Sequence, residues 1–222
     1  MSPSTLHPDP PPPVRIVTVS RRYGSGGGEV ARTLGERLGW RVLDREVVQK
    51  IAAELRVPQK QIAARDERVR TLAERVGEYL ANAFPEMVPP PLPPTRVDDE
   101  TLKVLCESVL REAARLPPVI VVGHGAQCLF ADRADALHVR LVAPLETRVE
   151  RMARRTGRDP AALEEEARAR DEARAGYLRH HYDRDWEDPT LYHLVVNAGR
   201  LPIPETVGLL THLVELRAVS GP

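Results

Sequence analysis

Five short apolar segments alternate with helical patterns along this chain of 222 residues. The first segment, residues 14–20, is rich in β-branched residues and almost unbroken in apolarity, which is typical of a parallel strand buried on both faces. Further strands are predicted at residues 41–43, 119–122, 137–142 and 192–196. Strands separated by helices connect as right-handed βαβ units, so the pattern predicts an α/β fold with helices on both faces of a parallel sheet.

Helical patterns fill the intervals between these strands. They predict helices over residues 29–38, 145–179 and 204–216, with a break in the second near residues 157–160. Gly39 ends the first of these helices, because glycine is the usual residue just after a helix.

Two proline-rich segments interrupt the pattern. Residues 1–13 contain six prolines and no hydrophobic periodicity, so we expect an extended or disordered tail there. The long stretch 44–116 is otherwise helical, but six prolines between residues 84 and 95 predict a semi-rigid loop or hinge inside it.

Composition narrows the class of protein. The chain has 32 basic and 32 acidic side chains and only 4% aromatic residues. A general nucleic-acid binder shows a basic excess or a set of stacking aromatics, so we expect no nucleic-acid partner. Cys106 and Cys128 are too few for a disulfide framework or a zinc site, which favours a cytoplasmic protein. No run of 18 apolar residues occurs, so we expect no membrane partner either. We expect the protein to be a monomer or a homodimer.

Polar or glycine residues follow four of the predicted strands. They are found at residues 20–28, at Asp44, at residues 123–125 and at residues 197–199. Ligands of parallel α/β sheets bind at the carboxyl ends of the strands. The agreement among four strand ends predicts an enzyme site at this edge.

The segment after the first strand has the context of a phosphate-binding loop. It runs from a strand into a helix and reads Arg21-Arg22-Tyr23-Gly24-Ser25-Gly26-Gly27-Gly28-Glu29. Four glycines in five residues exceed what a tight turn needs, and they let successive backbone amides curl around an anion. The helix N-terminus adds a partial positive charge. We therefore predict that donor phosphates bind at residues 24–28.

This loop lacks the lysine of the usual P-loop. Gly26-Gly27-Gly28 stand where that pattern has Gly-Lys-Ser/Thr, and no lysine precedes Lys50. The positive charge that neutralises the phosphates must then come from arginine. Arg21 and Arg22 are the nearest candidates. Glu29 falls on or next to the position of the hydroxyl that would hold Mg²⁺; it is either a Mg²⁺ ligand, direct or through water, or an ordinary acid of the first helical turn.

Several motifs together resemble the cytidylate kinase-like family, a branch of the P-loop nucleoside monophosphate kinases. Residues 20–27 are similar to its opening Ser-Arg-Gln-(Tyr/Phe)-Gly-Ser-Gly-Gly, which also lacks the lysine. Further similar segments are Leu43-Asp44-Arg45-Glu46, residues 121–126, residues 137–148, Asp185-Trp186-Glu187-Asp188-Pro189 and residues 192–197. The resemblance covers residues 14–217.

This resemblance implies a three-layer P-loop kinase fold with a five-stranded parallel sheet in the order 2-3-1-4-5. It implies one kinase domain over residues 14–217, with a helical acceptor-binding insert at 44–116 and a helical lid at 148–184. The implied reaction is phosphoryl transfer from ATP, with Mg²⁺, to a nucleoside monophosphate such as CMP or dCMP.

The resemblance also places substrate contacts at the strand ends. The acceptor is expected at Asp44, Arg45, Gly123, His124 and Gly125, although Asp44 is equally a plain helix cap. His124 stands where the family has an arginine, and histidine is a weaker, pH-dependent partner for phosphate. Adenine of ATP is expected beside Asn197 and Ala198, which otherwise form a simple turn.

Ten arginines lie between residues 148 and 184. Most of them are expected to form solvated pairs with glutamate, such as Glu166 with Arg170. A loose, highly charged transition state needs cations, and planar guanidinium groups bind phosphate with two hydrogen bonds. By spacing and by resemblance to the family's lid, the catalytic candidates are Arg151, Arg155, Arg170, Asp171 and Arg174, together with Arg21. Gly157 and Gly176 are candidate hinges of the lid.

Two other functions are compatible with these residues. The missing lysine and His124 are also typical of a nucleotide-binding module with a degenerate loop and no transfer activity. A kinase for another small acceptor, such as a sugar or a shikimate-like alcohol, would need a general base, for which Asp44 is the candidate.

Overall fold

The structure of the protein is a computed structural model that describes residues 12–44 and 118–219, with eight positions between them at 103, 106, 107, 110, 111 and 113–115. Most of the predicted tail at 1–13 and most of the insert at 44–116 lie outside the described residues. So do Arg45 and the proline-rich segment 84–95.

Five parallel strands form one sheet in the order β2-β3-β1-β4-β5. The order implied by the resemblance is therefore confirmed. The strands are β1 Ile16–Arg21, β2 Arg41–Leu43, β3 Val119–Val122, β4 Ala136–Val142 and β5 Leu194–Asn197. Because β1 pairs with both β3 and β4, the loop that follows β1 lies at the middle of the carboxyl edge of the sheet.

The helices follow the predicted pattern closely. Within residues 12–44 and 118–219 they are α1 Gly27–Leu38, α2 Ala126–Leu129, which was not predicted, α3 Leu145–Thr156, α4 Pro160–Tyr182 and α5 Ile203–Val219. Gly39 ends α1 in the left-handed conformation, with φ of 66°. The predicted break between α3 and α4 is confirmed: Gly157 ends α3 with φ of 68°, and the Asp159 carboxylate accepts a hydrogen bond from the Ala162 amide at the start of α4.

The fifth strand begins two residues later than predicted. Tyr192 precedes β5 and follows a short 3₁₀ turn at Pro189–Leu191. Its ring is buried and its hydroxyl donates to the Trp186 carbonyl oxygen at 3.0 Å. The apolar run at 192–196 therefore combines a buried anchor with a strand, and periodicity alone does not separate the two.

Helices cover both faces of the sheet because consecutive strand residues point to opposite sides. On one face Val17 belongs to a buried cluster with Leu34 of α1 and Leu210 of α5. On the other face Ile16 clusters with Leu110 and Phe130. This is the predicted three-layer α/β arrangement. In the parts of the chain that the structure describes, no helix combines the length and apolarity needed to cross a bilayer.

Candidate active site

The glycine-rich loop joins the central strand β1 to helix α1. Gly24 and Gly26 have φ of 72° and 86°, in the left-handed region that side chains disfavour, and Gly26 caps the N-terminus of α1. A Cβ at Gly27 would lie only 2.6 Å from Cβ of Arg21. Glycine is therefore required at these positions by backbone shape and by space.

The carbonyl oxygens of residues 21–24 all accept hydrogen bonds. The Arg22 oxygen accepts from the Ser25 amide at 3.2 Å and from the Ser25 hydroxyl at 2.8 Å. Three arginines of α3 and α4 donate to other loop carbonyls: Arg174 to Arg21 at 2.8 Å, Arg148 to Tyr23 at 2.8 Å and Arg151 to Gly24 at 3.1 Å. The backbone oxygens are thus satisfied from the side of the arginine-rich helices.

The amides at the start of α1 have a different environment. Val30 is the residue whose amide donates to the Gly26 oxygen and begins the helical ladder. Among the described residues, the amides of Gly26, Gly27 and Gly28 have no backbone acceptor, as expected for the first turn of a helix. Glu29 lies in the same turn and is exposed. In general, free amides and the helix dipole at a helix N-terminus favour an anion.

The two arginines predicted to replace the lysine point to different partners. Arg21 is 4% exposed, and its guanidinium lies against Gly123 in the loop after β3, where a Cβ would overlap Nη1. Arg22 instead donates from Nη2 to Oε2 of Glu187 at 2.9 Å. Arg21 therefore connects the phosphate loop with the loop after β3, while Arg22 is held to one side by a carboxylate.

Glu187 joins Arg22 to a second arginine in the sheet. Its Oε1 accepts from Nη2 of Arg140 at 2.5 Å, and Arg140 is only 2% exposed. The Arg140 guanidinium also lies 4.4 Å from the centre of the Trp186 ring, whose nitrogen donates to Ser20 at 2.8 Å. Burial alone would raise the pKa of Glu187, but the hydrogen bonds from Arg22 and Arg140 outweigh it and lower that pKa.

The contacts of Arg140 were not predicted from the sequence. An arginine inside a buried strand is itself an unusual signal, because charged residues are almost never fully buried without a partner. The motif Asp185-Trp186-Glu187-Asp188-Pro189 contained that partner, but 47 residues separate Glu187 from Arg140.

The loop after β3 has an unusual backbone. Gly123, His124 and Gly125 all have positive φ, at 80°, 58° and 64°. His124 is 4% exposed, so its ring is packed inside and is not a freely presented cation. The Tyr182 ring occupies the space that a Cβ of Gly125 would need, and its hydroxyl donates to Glu107 at 2.9 Å. Burial is the main cause that raises the pKa of Tyr182.

The predicted adenine-side residues lie at the end of β5. The Asn197 side chain accepts a hydrogen bond from the Gly199 amide at 3.0 Å, which is a local turn. The Ala198 carbonyl accepts from Nη2 of Arg151 at 2.9 Å. Since Nη1 of Arg151 donates to Gly24, this one guanidinium joins the phosphate loop to the loop after β5. At the opposite edge of the sheet, Asp44 follows the edge strand β2 and is half-buried.

The remaining candidates lie on the two arginine-rich helices. Asp171 accepts from the Tyr23 amide and from Arg148, both at 2.8 Å. Arg170 forms the expected pair with Glu166 at 2.6 Å, and its guanidinium is 5.5 Å from the centre of the Tyr23 ring. Arg155 donates to the Met152 sulfur at 3.0 Å.

Of the two candidate hinges, Gly157 separates α3 from α4. Gly176 lies inside the continuous helix α4.

The described residues contain no group of three or more His, Cys, Asp or Glu side chains that could hold a metal ion.

A glycine loop that caps a helix at the centre of a parallel sheet in this order defines the class of P-loop kinases, and solved structures share the fold. An uncharacterized protein from Eubacterium ventriosum matches with a TM-score of 0.67 and 17% identity, over 90% of this chain and 98% of that chain. A gluconokinase from Sinorhizobium meliloti matches with a TM-score of 0.52 and 16% identity, over 97% of this chain and 100% of that chain. A shikimate kinase from Bacteroides thetaiotaomicron matches with a TM-score of 0.51 and 16% identity, over 90% of this chain and 98% of that chain.

Within this class, the chain belongs to the cytidylate kinase-like family, whose sequence profile matches residues 16–200. A cytidylate kinase from Archaeoglobus fulgidus is 26% identical over 205 residues, which are 92% of this chain and 97% of that protein. A cytidylate kinase from Halobacterium salinarum is 29% identical over 185 residues, or 83% of this chain and 81% of that protein. The chain is therefore a phosphotransferase that acts as a nucleotide or small-molecule kinase, which favours an enzyme over a binding-only module.

Proposed function

We propose that this enzyme transfers a phosphoryl group from ATP to a nucleoside monophosphate, with CMP or dCMP as the preferred acceptor. The observation that carries the proposal is the phosphate loop, whose carbonyls at residues 21–24 accept hydrogen bonds while the amides of residues 26–28 have no backbone acceptor among the described residues. The acceptor follows the relatives in Archaeoglobus and Halobacterium, which carry the name cytidylate kinase.

ATP phosphates would bind at the amides of Gly26, Gly27 and Gly28. A helix N-terminus favours an anion there, and the absence of Cβ atoms lets the phosphates approach the backbone. Mg²⁺ would be held by phosphate oxygens and by Glu29, directly or through water, and would neutralise charge on the transferred group. Glu29 fits this role because it is exposed in the first turn of the same helix.

The cations that reach the transferred phosphoryl group would be Arg155 and Arg170. In the described part of the chain Arg155 has no carboxylate partner, and Arg170, which pairs with Glu166, lies at the Tyr23 ring beside the loop. For Arg21, Arg151, Asp171 and Arg174 a direct role in transfer stays a prediction from the resemblance, because their contacts here are with loop backbone or neighbouring loops.

The acceptor would lie between the ends of β2 and β3. Asp44 and the backbone at residues 123–125 border this region, and Arg45 would follow Asp44 outside the described residues. Positioning and electrostatics carry phosphoryl transfer, so no covalent intermediate on the protein is required.

A coupled assay of ADP release with purified protein, ATP and a panel of nucleoside monophosphates tests the proposal. We expect turnover with CMP or dCMP well above that with AMP, GMP or UMP. Turnover with no monophosphate, despite intact ATP binding, would contradict the acceptor assignment. Arg155→Met should lower kcat by at least about tenfold, the usual scale for a cation at a phosphoryl group. Arg154→Met, at an exposed neighbour on α3, is the matched control and should retain activity.

One observation favours a second candidate, a kinase for a small alcohol. His124 stands where the family has a phosphate-binding arginine, and it is packed inside at 4% exposure. An acceptor without a phosphate would not need that cation. A thermal-shift panel that compares nucleoside monophosphates with sugars and hydroxy acids separates the two candidates.

A further inference from the structure

The two peptide groups that flank Tyr23, just before the glycines of the phosphate loop, are held by one ion pair. Oδ1 of Asp171 accepts a hydrogen bond from the Tyr23 amide at 2.8 Å. Nη1 of Arg148 donates to the Tyr23 carbonyl oxygen at 2.8 Å. The two side chains also bind each other, with 2.8 Å between Nη1 of Arg148 and Oδ2 of Asp171. We call this arrangement the Tyr23 clamp.

The clamp is buried and joins three separate segments. Arg148 is 3% exposed, and its Nε donates to the Ala143 carbonyl oxygen at 3.0 Å. The Asp171 side chain is 14% exposed. Replacing a buried ion pair with apolar residues is often neutral or stabilising, so such a pair is weak evidence for a role in stability. Its geometry, which fixes the two successive peptide groups on either side of Tyr23, points to a different role.

A loop with four glycines in five residues has many accessible backbone conformations, and only some of them direct the amides toward a common anion. This loop also contains no lysine that could organise it from within. We infer that Arg148 and Asp171 are positioning residues for the donor phosphates, because the Tyr23 clamp holds the loop in the anion-binding conformation before nucleotide arrives. The inference rests on the proposed binding of ATP at this loop.

The clamp also links the loop to the helices that carry the proposed catalytic arginines. Arg148 lies two turns before Arg155 on α3, and Asp171 follows Arg170 on α4. The clamp therefore fixes the start of α3 and the middle of α4 against the loop.

The test uses the full chain with Arg148→Met and Asp171→Asn. The control is Arg168→Met, which removes an exposed arginine of α4 that pairs with Glu164 at 2.8 Å. Peptide-resolved hydrogen exchange without nucleotide reports the Tyr23 amide, titration calorimetry reports ATP affinity, and steady-state kinetics separate KM from kcat.

We expect Arg148→Met to weaken ATP binding and raise the KM for ATP by at least about tenfold, while kcat at saturating ATP changes by less than about threefold. Asp171→Asn retains an acceptor for the Tyr23 amide but loses the charge that orients Arg148, so its effect should be smaller. Exchange at Tyr23 should accelerate in both variants. Arg168→Met should match the wild type in all three measurements.

Unchanged ATP affinity in folded Arg148→Met and Asp171→Asn proteins overturns the inference while the proposed function stands. A uniform loss of kcat with unchanged KM also overturns it. If Arg148→Met does not fold, the isosteric Asp171→Asn variant decides by ATP affinity and by hydrogen exchange at Tyr23, because a direct role of Asp171 in transfer alone would leave both unchanged. A wild-type protein that binds no ATP defeats the proposed function, and this inference with it.

Discussion

Replacing Gly26 with alanine tests whether the start of α1 has the shape that anion binding requires. Gly26 has φ of 86° and ψ of 9°, and holding an ordinary residue in this left-handed region costs about 1–2 kcal/mol. The new Cβ would lie 3.0 Å from Cδ1 of Ile203, the far end of a flexible side chain, so crowding adds little. Alanine also restricts the unfolded chain, which offsets about 0.4–1 kcal/mol of that cost.

The free energy of unfolding should therefore fall by about 1 kcal/mol, which corresponds to a Tm lower by about 2–4 °C for a domain of this size. The matched control is Gly208→Ala in the interior of α5, where nothing lies within 4 Å of a new Cβ. Since alanine is the better helix former by about 0.5–1 kcal/mol, this control should raise Tm. The same chemical change thus has opposite signs at the two sites.

The functional assay is titration calorimetry with ATP. Relief of the strain at Gly26 rotates the adjoining peptides, so the amides of Gly26 and Gly27 leave the orientation that the phosphates need. We expect affinity for ATP to fall by at least about tenfold, the loss of a charge-assisted hydrogen bond or more. A Gly26→Ala protein with the wild-type Tm and the wild-type affinity would refute the reasoning, because neither the strain nor the cradle would then exist.

Three further predictions follow from buried charged and titratable groups. Glu187→Gln removes the carboxylate that faces buried Arg140 and should lower the free energy of unfolding in urea by about 1–3 kcal/mol, less than for a fully buried pair because Glu187 is half-exposed. The control Glu164→Gln breaks an exposed pair with Arg168 and should lower it by less than about 0.5 kcal/mol. Equal effects of the two substitutions would contradict the assignment. Burial holds the pKa of His138 at about 4, so the unfolded chain binds its proton first and stability should fall by up to about 3 kcal/mol as pH drops from about 6.5 toward 4. His138→Gln should flatten that part of the stability–pH curve, and an unchanged slope would refute the cause. Burial raises the pKa of Cys128 to about 11, so its thiol should react with a thiol reagent slowly in the folded protein and rapidly in urea; fast labelling without denaturant would contradict this.

Much of the fold was predictable because its signals are local. Runs of β-branched residues marked the buried strands, and glycines in the left-handed conformation ended α1 and α3 where predicted. The start of β5 was not predictable to the residue. Tyr192 is apolar enough to read as strand, yet the Trp186 carbonyl oxygen binds its hydroxyl and holds it outside the sheet.

The phosphate loop was also predictable, because glycines between a strand and a helix need no distant partner to be recognised. The arginines were not, since spacing on α3 places Arg148 and Arg155 on the same face. One is 3% exposed and bonded to the Tyr23 carbonyl, whereas the other lies at the surface beside Met152. Residue type and periodicity do not distinguish these roles.

The sequence by itself determined the order of the elements, the glycine loop and the family to which the chain belongs, since these depend on neighbours along the chain. Only the tertiary structure decided which arginine meets which partner. Arg22 finds Glu187 165 residues away, and Arg148 finds Tyr23 125 residues away. A guanidinium forms strong bonds to any carboxylate or carbonyl that folding brings near, so its function is set by packing and not by its position in a pattern.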